Sequence, residues 1–138
     1  RFGDPECQPV IMRLKNDLPA LLMATAEGRV REVSVEWSDQ AAVCIVLASN
    51  GYPGEYRTGT EIKGLDALTS WGSGYAFHAG TSQKNNRWYT AGGRVLGVTA
   101  LGDTVTEAAR EAYEGVNRIN WDGMHYRRDI AQRAMKRD

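Results

Sequence analysis

A short apolar run constrains the fold of this chain more than any other feature. Residues 41–48 read Ala-Ala-Val-Cys-Ile-Val-Leu-Ala, and three of the eight are β-branched. Most helices are longer than this, whereas buried strands have this length and composition. Ser49, Asn50 and Gly51 follow the run and favour a turn. The run therefore predicts a central strand, and it is far shorter than the roughly 20 apolar residues of a membrane-spanning helix.

The composition is typical of a single globular domain. The chain has 138 residues, 42% of them hydrophobic, and 17 basic residues balance 17 acidic ones. This apolar content suffices for a buried core. Because a net charge of zero leaves no strongly basic surface, we expect no nucleic acid as a partner, and the shortness of the apolar run indicates no membrane as a partner. Cys7 and Cys44 lack the spacing of a metal site and allow only one disulfide, which favours the cytoplasm.

The first half of the chain predicts one helix and several short strands. Leucines at helical spacing predict a helix over residues 17–27 that ends at Gly28. Residues 33–36 alternate apolar and polar side chains, which is typical of a half-exposed strand. Seven glycines divide residues 51–80 into turns and short strands, one of them over residues 75–78.

The second half predicts a hairpin and two helices. Residues 87–90 and 94–101 flank Ala-Gly-Gly, a sequence that favours a β-hairpin turn. A helix over residues 104–119 begins with the capping-box sequence Thr-Val-Thr-Glu, and a short helix over residues 128–136 follows. The order of elements predicts an α+β fold, with an antiparallel or mixed sheet and helices packed on one side.

Charged residues cluster at both ends of the chain. The opening Arg-Phe-Gly-Asp-Pro-Glu places a guanidinium and two carboxylates in one turn-forming stretch. Arginine can bind phosphate or carboxylate, and acidic side chains can bind an amine or a divalent cation, although such a stretch is also ordinary surface. Arg127 and Arg128 precede the last predicted helix, where two guanidiniums and a helix N-terminus favour a phosphate. The alternative for these arginines is a solvated basic end.

Five motifs occur along the chain in a fixed order. They are Arg-Phe-Gly-Asp-Pro-Glu at 1–6, Gly-Tyr-Pro-Gly at 51–54, His-Ala-Gly-Thr at 78–81, Gly-Gly-Arg-Val-Leu at 92–96 and Arg-Arg-Asp-Ile at 127–130. In this order and spacing the chain resembles the glycinamide ribonucleotide synthetases, or phosphoribosylamine-glycine ligases, of the ATP-grasp superfamily. The resemblance implies that residues 1–28 are the last part of an ATP-grasp domain and residues 29–138 a C-terminal, substrate-side domain.

The resemblance also implies a reaction. The family joins glycine to 5-phosphoribosylamine in purine biosynthesis: ATP phosphorylates the glycine carboxylate, the ribosylamine nitrogen attacks the acyl phosphate, and phosphate leaves. The intact enzyme uses ATP with Mg²⁺ or Mn²⁺. In the family the metal-binding Glu-x-Asn precedes the opening motif, so its counterpart would lie upstream of Arg1. We therefore expect that this chain is cut from a longer one, that it holds no metal or nucleotide site, and that it is inactive without the upstream ATP-grasp domain.

The family's opening motif suggests the catalytic candidates. Arg1 follows the metal-binding pair and is the candidate for contacting the acyl phosphate. Asp4 is the candidate for binding a substrate amine. Glu6 is a substrate-side candidate that orients its neighbours, and it could equally serve as a favourable charge at the start of a helix.

The His-Ala-Gly-Thr motif supplies three further substrate-binding candidates. His78 is either a hydrogen-bonding contact to the substrate or a structural residue at the end of a strand. Gly80 and Thr81 offer backbone and hydroxyl donors at a turn, which would suit an anion.

The last two motifs complete the substrate-binding set. Gly92 and Gly93 are first of all turn residues, although their N–H groups could approach a ligand closely. Arg94 opens a strand beside them and is either a substrate contact or a solvated side chain. Arg127 and Arg128 are the candidates for binding the ribose phosphate.

Two residues depart from the usual sequence of the family. Cys7 stands where the family usually has Thr, and Ala131 stands where it usually has Gly; we expect both to affect local packing more than function.

One alternative to the ligase function is a free-standing, non-catalytic module that binds a phosphorylated sugar. The other is a fragment of a related ATP-grasp enzyme, such as a carboxylase.

Overall fold

Two helices, six strands and two further helices follow one another along residues 3–136, the part of the chain that this computed structural model describes. The helices are α1 (Cys7–Arg13), α2 (Leu18–Ala26), α3 (Val105–Val116) and α4 (Gln132–Met135), with short 3₁₀ turns at Val30–Glu32 and Leu65–Leu68. The strands are β1 (Ala41–Ala48), β2 (Glu61–Ile62), β3 (Gly74–His78), β4 (Thr81–Lys84), β5 (Arg87–Thr90) and β6 (Arg94–Gly102). None of the described helices is both long enough and apolar enough to span a bilayer.

The strands form two antiparallel sheets of three strands each, in the orders β1-β6-β3 and β2-β5-β4. In the first sheet Val98 of β6 lies between Ile45 and Ala76. The strand predicted at residues 41–48 is confirmed, but its predicted central position is wrong, because β6 occupies the centre. An apolar run indicates that the side chains on both faces of a strand are buried. It does not indicate that another strand pairs with it along each edge.

Helix α3 covers one face of this sheet. Its residues Ala108, Ala112 and Val116 have no exposed surface, and they pack against β1 and β6. The predicted cap is confirmed, since the hydroxyl of Thr104 accepts a hydrogen bond from the Glu107 N–H at 3.1 Å. A Cβ at Gly102 would lie 2.4 Å from the backbone nitrogen of Ala108, so the glycine allows the helix to approach the strand closely.

Helix α1 crosses the opposite face. The amide of Gln8 lies above Gly97, where an added Cβ would be 3.7 Å from Nε2 and 3.2 Å from the sulfur of Cys44. Burial raises the pKa of the Cys44 thiol, and both cysteines are free. The α+β class with an antiparallel sheet is confirmed. Helices cover both faces of this sheet and not one, because α1, in the segment that the sequence assigns to the preceding domain, packs opposite α3.

Helix α2 also follows its sequence pattern. The Asp17 carboxylate accepts a hydrogen bond from the Ala20 N–H at 3.3 Å, and the helix ends two residues before Gly28, whose φ is 73°. The strand predicted over residues 33–36 is wrong. Those residues follow a 3₁₀ turn without joining either described sheet, and Trp37 makes only an isolated bridge to Leu14.

The predicted hairpin over residues 87–101 is also wrong. β5 pairs with β2 and β4, whereas β6 pairs with β1 and β3, so the Ala-Gly-Gly segment carries the chain from one sheet to the other. The hairpin of the second sheet instead joins β4 and β5 through Asn85 and Asn86, with φ values of 49° and 59°. A two-residue turn of this kind needs positive φ at both positions, and asparagine tolerates that conformation.

The last helix is shorter than predicted. α4 is one turn long and begins four residues after Arg128, because Ala131 adopts a left-handed conformation with φ of 67°. An alanine pays about 1–2 kcal/mol for this conformation, and glycine pays almost nothing. The departure at Ala131 thus falls at a position whose backbone favours glycine.

Candidate functional site

Four of the five sequence motifs meet at one cavity of about 300 Å³, which we call the Arg94 cavity. It lies between the ends of β1 and β6 and the turn at residues 127–130, which we call the arginine turn. The residues that line it include Pro5, Tyr52, Arg94, Tyr126, Arg127 and Ile130. Residues up to 125 positions apart in the sequence thus face one small volume.

Arg94 ties the opening motif to the sheet. Its Nε lies 3.1 Å from the carboxylate of Asp4, and its Nη1 donates to the Asp4 carbonyl oxygen at 3.0 Å. The other carboxylate oxygen of Asp4 accepts a hydrogen bond from Gln8 at 3.2 Å. Both side chains of the ion pair are about 40% exposed, 42% and 37%. Exposed pairs contribute roughly 1 kcal/mol or less, so an anionic substrate could compete for the guanidinium.

The segment before Arg94 is held by Ser49, at the end of β1. The Ser49 hydroxyl donates to the Gly92 carbonyl at 2.8 Å, and the Ser49 N–H donates to the Gly93 carbonyl at 2.8 Å. Both bonds use the carbonyl oxygens, so they do not occupy the N–H groups of the two glycines. A Cβ at Gly93 would lie 2.3 Å from Cδ2 of Tyr52, so the glycine makes room for that ring.

Sequence reasoning missed the role of Ser49. It treated the residue as part of the turn after the apolar run, whereas Ser49 is 1% exposed and fully hydrogen-bonded. The available signal was a hydroxyl placed directly after a buried strand, since a buried polar group requires partners.

Gly80 supports the same segment through its backbone. Its N–H donates to the Arg94 carbonyl at 2.9 Å, and its carbonyl accepts from the Ala91 N–H at 2.7 Å. A Cβ at Gly80 would lie 2.7 Å from the Cα of Gly92. Gly80 therefore brings the chain close to the base of Arg94, and its role in substrate binding stays a prediction.

His78 lies on a different cavity, and Thr81 is its hydrogen-bonding partner. His78 Nδ1 and the Thr81 hydroxyl are 2.9 Å apart, and the His78 ring lies 4.2 Å from the ring of Trp88. His78 lines a cavity of about 390 Å³ with Trp71 and Trp88. Partial burial lowers the pKa of His78, which favours its neutral form. The structure does not bring His78 together with Arg94, and its substrate contact stays a prediction.

The arginine turn carries two differently held guanidiniums. Arg127 makes two hydrogen bonds to the carboxylate of Asp129, at 2.9 and 2.6 Å. This pairing raises the pKa of Arg127 and lowers that of Asp129. The Arg128 guanidinium lies 5.7 Å from the ring centre of Tyr126. The helix N-terminus expected beside these arginines is wrong, because α4 begins only at Gln132.

Glu6 does not line the Arg94 cavity. Arg1 lies outside the described residues. Glu6 occupies the N-cap position of α1, is exposed, and makes no side-chain capping hydrogen bond. Within residues 3–136, no group of three or more His, Cys, Asp or Glu side chains is arranged to hold a metal ion.

Comparison with known proteins gives consistent matches. Residues 42–133 match the family described as phosphoribosylglycinamide synthetase, C domain. A phosphoribosylamine–glycine ligase of Vibrio cholerae is 47% identical over 138 residues, which is 100% of this chain and 32% of the relative. The corresponding ligase of Caldanaerobacter subterraneus is 46% identical over 131 residues, covering 95% of this chain and 31% of the relative.

A solved structure agrees with these sequence matches. The crystal structure of a phosphoribosylamine–glycine ligase from Thermotoga maritima superposes with a TM-score of 0.72 at 33% identity. The superposition covers 94% of this chain and 31% of that protein. The chain thus spans about a third of the length of the relatives that it matches.

Proposed function

Because the chain belongs to the family of phosphoribosylglycinamide synthetase C domains, we propose that it is the C-terminal part of a phosphoribosylamine–glycine ligase. The longer enzyme would join glycine to 5-phosphoribosylamine in the cytoplasm, at the expense of ATP and through a glycyl phosphate. Residues 1–28 would be the end of the ATP-grasp domain and residues 29–138 the substrate-side domain. The family match, which begins at residue 42, supports a boundary upstream of that position.

ATP and a divalent cation, Mg²⁺ or Mn²⁺, belong to the part of the enzyme outside this chain in this proposal. The cation would neutralise the phosphoryl oxygens during transfer. The described residues offer no matching set of metal ligands, so we assign no step through the metal to them. The isolated chain would then lack ligase activity, and its partner would be the upstream ATP-grasp domain.

One observation carries the proposal: Arg94 and the arginine turn face the same cavity. Arg94 and Arg127 line it, and the Arg128 guanidinium lies over the ring of Tyr126, which also lines it. Guanidiniums bind phosphate through paired N–H donors. The ribose phosphate of the substrate would bind there. Asp4, held beside Arg94, would accept a hydrogen bond from the substrate amine.

The surroundings of the cavity suit an acyl-phosphate reaction. Tyr52 packs on Gly93, and its ring lies 6.2 Å from that of Tyr56. A glycyl phosphate hydrolyses if water reaches it, so an aromatic cover beside the substrate would protect it. The N–H groups of Gly92 and Gly93 would lie beside the bound anion, because their carbonyls already anchor the segment to Ser49.

Kinetics of the longer ligase that contains this chain would test the proposal. The double variant Arg127→Ala, Arg128→Ala should raise the KM for phosphoribosylamine at least about tenfold, since charged hydrogen bonds contribute roughly 1.5–3 kcal/mol. The KM for ATP should not change. Arg87→Ala, Arg110→Ala removes two exposed arginines on other elements and serves as the matched control. Equal effects of the double variant on both substrates would contradict the assignment.

A non-catalytic module that binds a phosphorylated sugar is the second candidate, since two arginines, Arg94 and Arg127, line one cavity. Such a module would bind ribose 5-phosphate without the rest of the enzyme. Calorimetry on the 138-residue chain separates the two. Weak or absent binding favours the ligase assignment, and tight binding by the chain alone favours the module.

A further inference from the structure

The hydroxyl of Tyr113 holds both ends of the arginine turn. It donates to the carbonyl oxygen of Arg127 at 2.9 Å and accepts from the N–H of Ile130 at 3.2 Å. We infer that Tyr113 is a positioning residue that fixes the arginine turn against α3 and thereby determines the affinity for the phosphorylated substrate. The inference rests on the proposed function of Arg127 and Arg128.

Helix α3 provides a rigid reference for this contact. Its neighbours Ala112 and Val116 have no exposed surface and pack on the sheet. The Tyr113 ring is half-buried at the edge of the core and lies 6.2 Å from the ring of Tyr126. A displacement of the hydroxyl would therefore require the ring to leave packed surroundings, which makes it a fixed anchor.

Apart from the Tyr113 hydroxyl, the turn is restrained at Ile130, whose side chain packs against the core, and by the backbone pairing that precedes it. The backbone of His125 pairs with Ala48 at 2.9 and 3.1 Å, which fixes the entry to the turn. Arg127, Arg128 and Asp129 are all exposed. The ion pair between Arg127 and Asp129 joins two residues of the turn to each other, so it does not fix the turn relative to the cavity. In the described chain, the hydrogen bonds that join the turn to α3 are the two at the Tyr113 hydroxyl.

The variant Tyr113→Phe removes these two bonds and keeps the ring. In the longer ligase we expect the KM for phosphoribosylamine to rise about three- to tenfold, as the loss of one or two hydrogen bonds would produce. The KM values for ATP and glycine and the value of kcat should stay within about twofold, because the phosphate contact is equally strong in the bound substrate and in the transition state. Tyr89→Phe, on a tyrosine of β5 in the second sheet, is the matched control and should leave all constants unchanged.

Inhibition constants provide a second measurement. If Tyr113 had only a structural role, they would not change selectively for the phosphorylated inhibitor. Ribose 5-phosphate is a stable competitor that carries the phosphate, and ribose lacks it. Tyr113→Phe should raise the inhibition constant of ribose 5-phosphate by the same factor as the KM for phosphoribosylamine, and it should leave inhibition by ribose unchanged. Equal weakening of both inhibitors would overturn the inference, because the turn would then not act through the phosphate.

The outcomes separate this inference from the proposed function. If the double arginine variant raises the KM for phosphoribosylamine and Tyr113→Phe does not, the inference fails and the function stands. If neither variant changes that KM, both fail. If Tyr113→Phe lowers the thermal midpoint and changes the KM values of all substrates together, Tyr113 is structural only and the inference is overturned.

Discussion

The two parts of the chain on either side of residue 40 differ sharply in how they bury apolar side chains. Among residues 3–40, Ala24 is the one buried residue, whereas the sheet and α3 contain a continuous core with Ile45, Leu47 and Val98 fully buried. Leu22 and Trp37, in the first part, are 60% and 45% exposed. Both parts have apolar residues at regular spacing, so the sequence pattern alone does not distinguish them.

The apolar side chains of the first part line a groove of about 430 Å³ between α1 and α2, which includes Leu14, Leu18 and Leu21. An exposed apolar surface of this kind usually marks an interface. The contrast falls at residue 40, twelve residues after the proposed domain boundary, so residues 29–40 share with residues 1–28 the lack of a buried core. It also predicts that changes in the two parts will affect stability very differently.

Truncating one apolar side chain in each part to alanine should show the largest difference between the two parts. Ile45→Ala should lower the free energy of unfolding of this chain by about 2–5 kcal/mol, because it leaves a cavity in the core. Leu22→Ala removes a side chain that is 60% exposed and should change the free energy by about 0.5 kcal/mol or less. Urea denaturation of both variants gives the comparison. Similar losses would mean that the first part contributes to the core as much as the sheet does.

Amide hydrogen exchange should show the second-largest difference between the two parts. The amides of α3 pack under the sheet and should exchange only on global unfolding, whereas those of α2 should exchange through local opening at least about 2 kcal/mol below that limit. The reason is that α3 has five buried residues and α2 has one. Equal protection of the two helices would contradict the contrast between the parts.

The local elements of the fold could be predicted from the sequence, and the pairing of those elements could not. The helix starts at Asp17 and Thr104 follow from capping residues that act within three positions. The chain crosses from one sheet to the other at Gly92, and this crossover depends on partners far away in the sequence, such as Ser49, 43 residues earlier. No local pattern distinguishes such a crossover from a hairpin, because both need the same turn residues.

The candidate site could likewise be predicted only in part from the sequence. The residue types indicated phosphate binding by Arg127 and Arg128, and Arg94 was a substrate-binding candidate of another motif; the structure places Arg94 and Arg127 at one cavity. Tyr113 gave no signal, because in the sequence it is one aromatic residue on an amphipathic helix, and its partners lie 14 and 17 residues away. His78 belonged to a motif like the others, yet it faces Trp88 in a separate cavity. Motif membership therefore did not predict which cavity a residue faces.

The helix caps give the smallest and most closely matched comparison. Thr104 caps α3 at 3.1 Å and Asp17 caps α2 at 3.3 Å, so the two local contacts are nearly alike. Thr104→Ala should lower the free energy of global unfolding by about 1 kcal/mol. Asp17→Ala should lower it by less than half as much, because α2 can fray without opening the core, and its main effect should be faster amide exchange within α2. If Asp17→Ala costs as much global stability as Thr104→Ala, α2 unfolds together with the sheet, and residues 3–40 are an integral part of the cooperative unit.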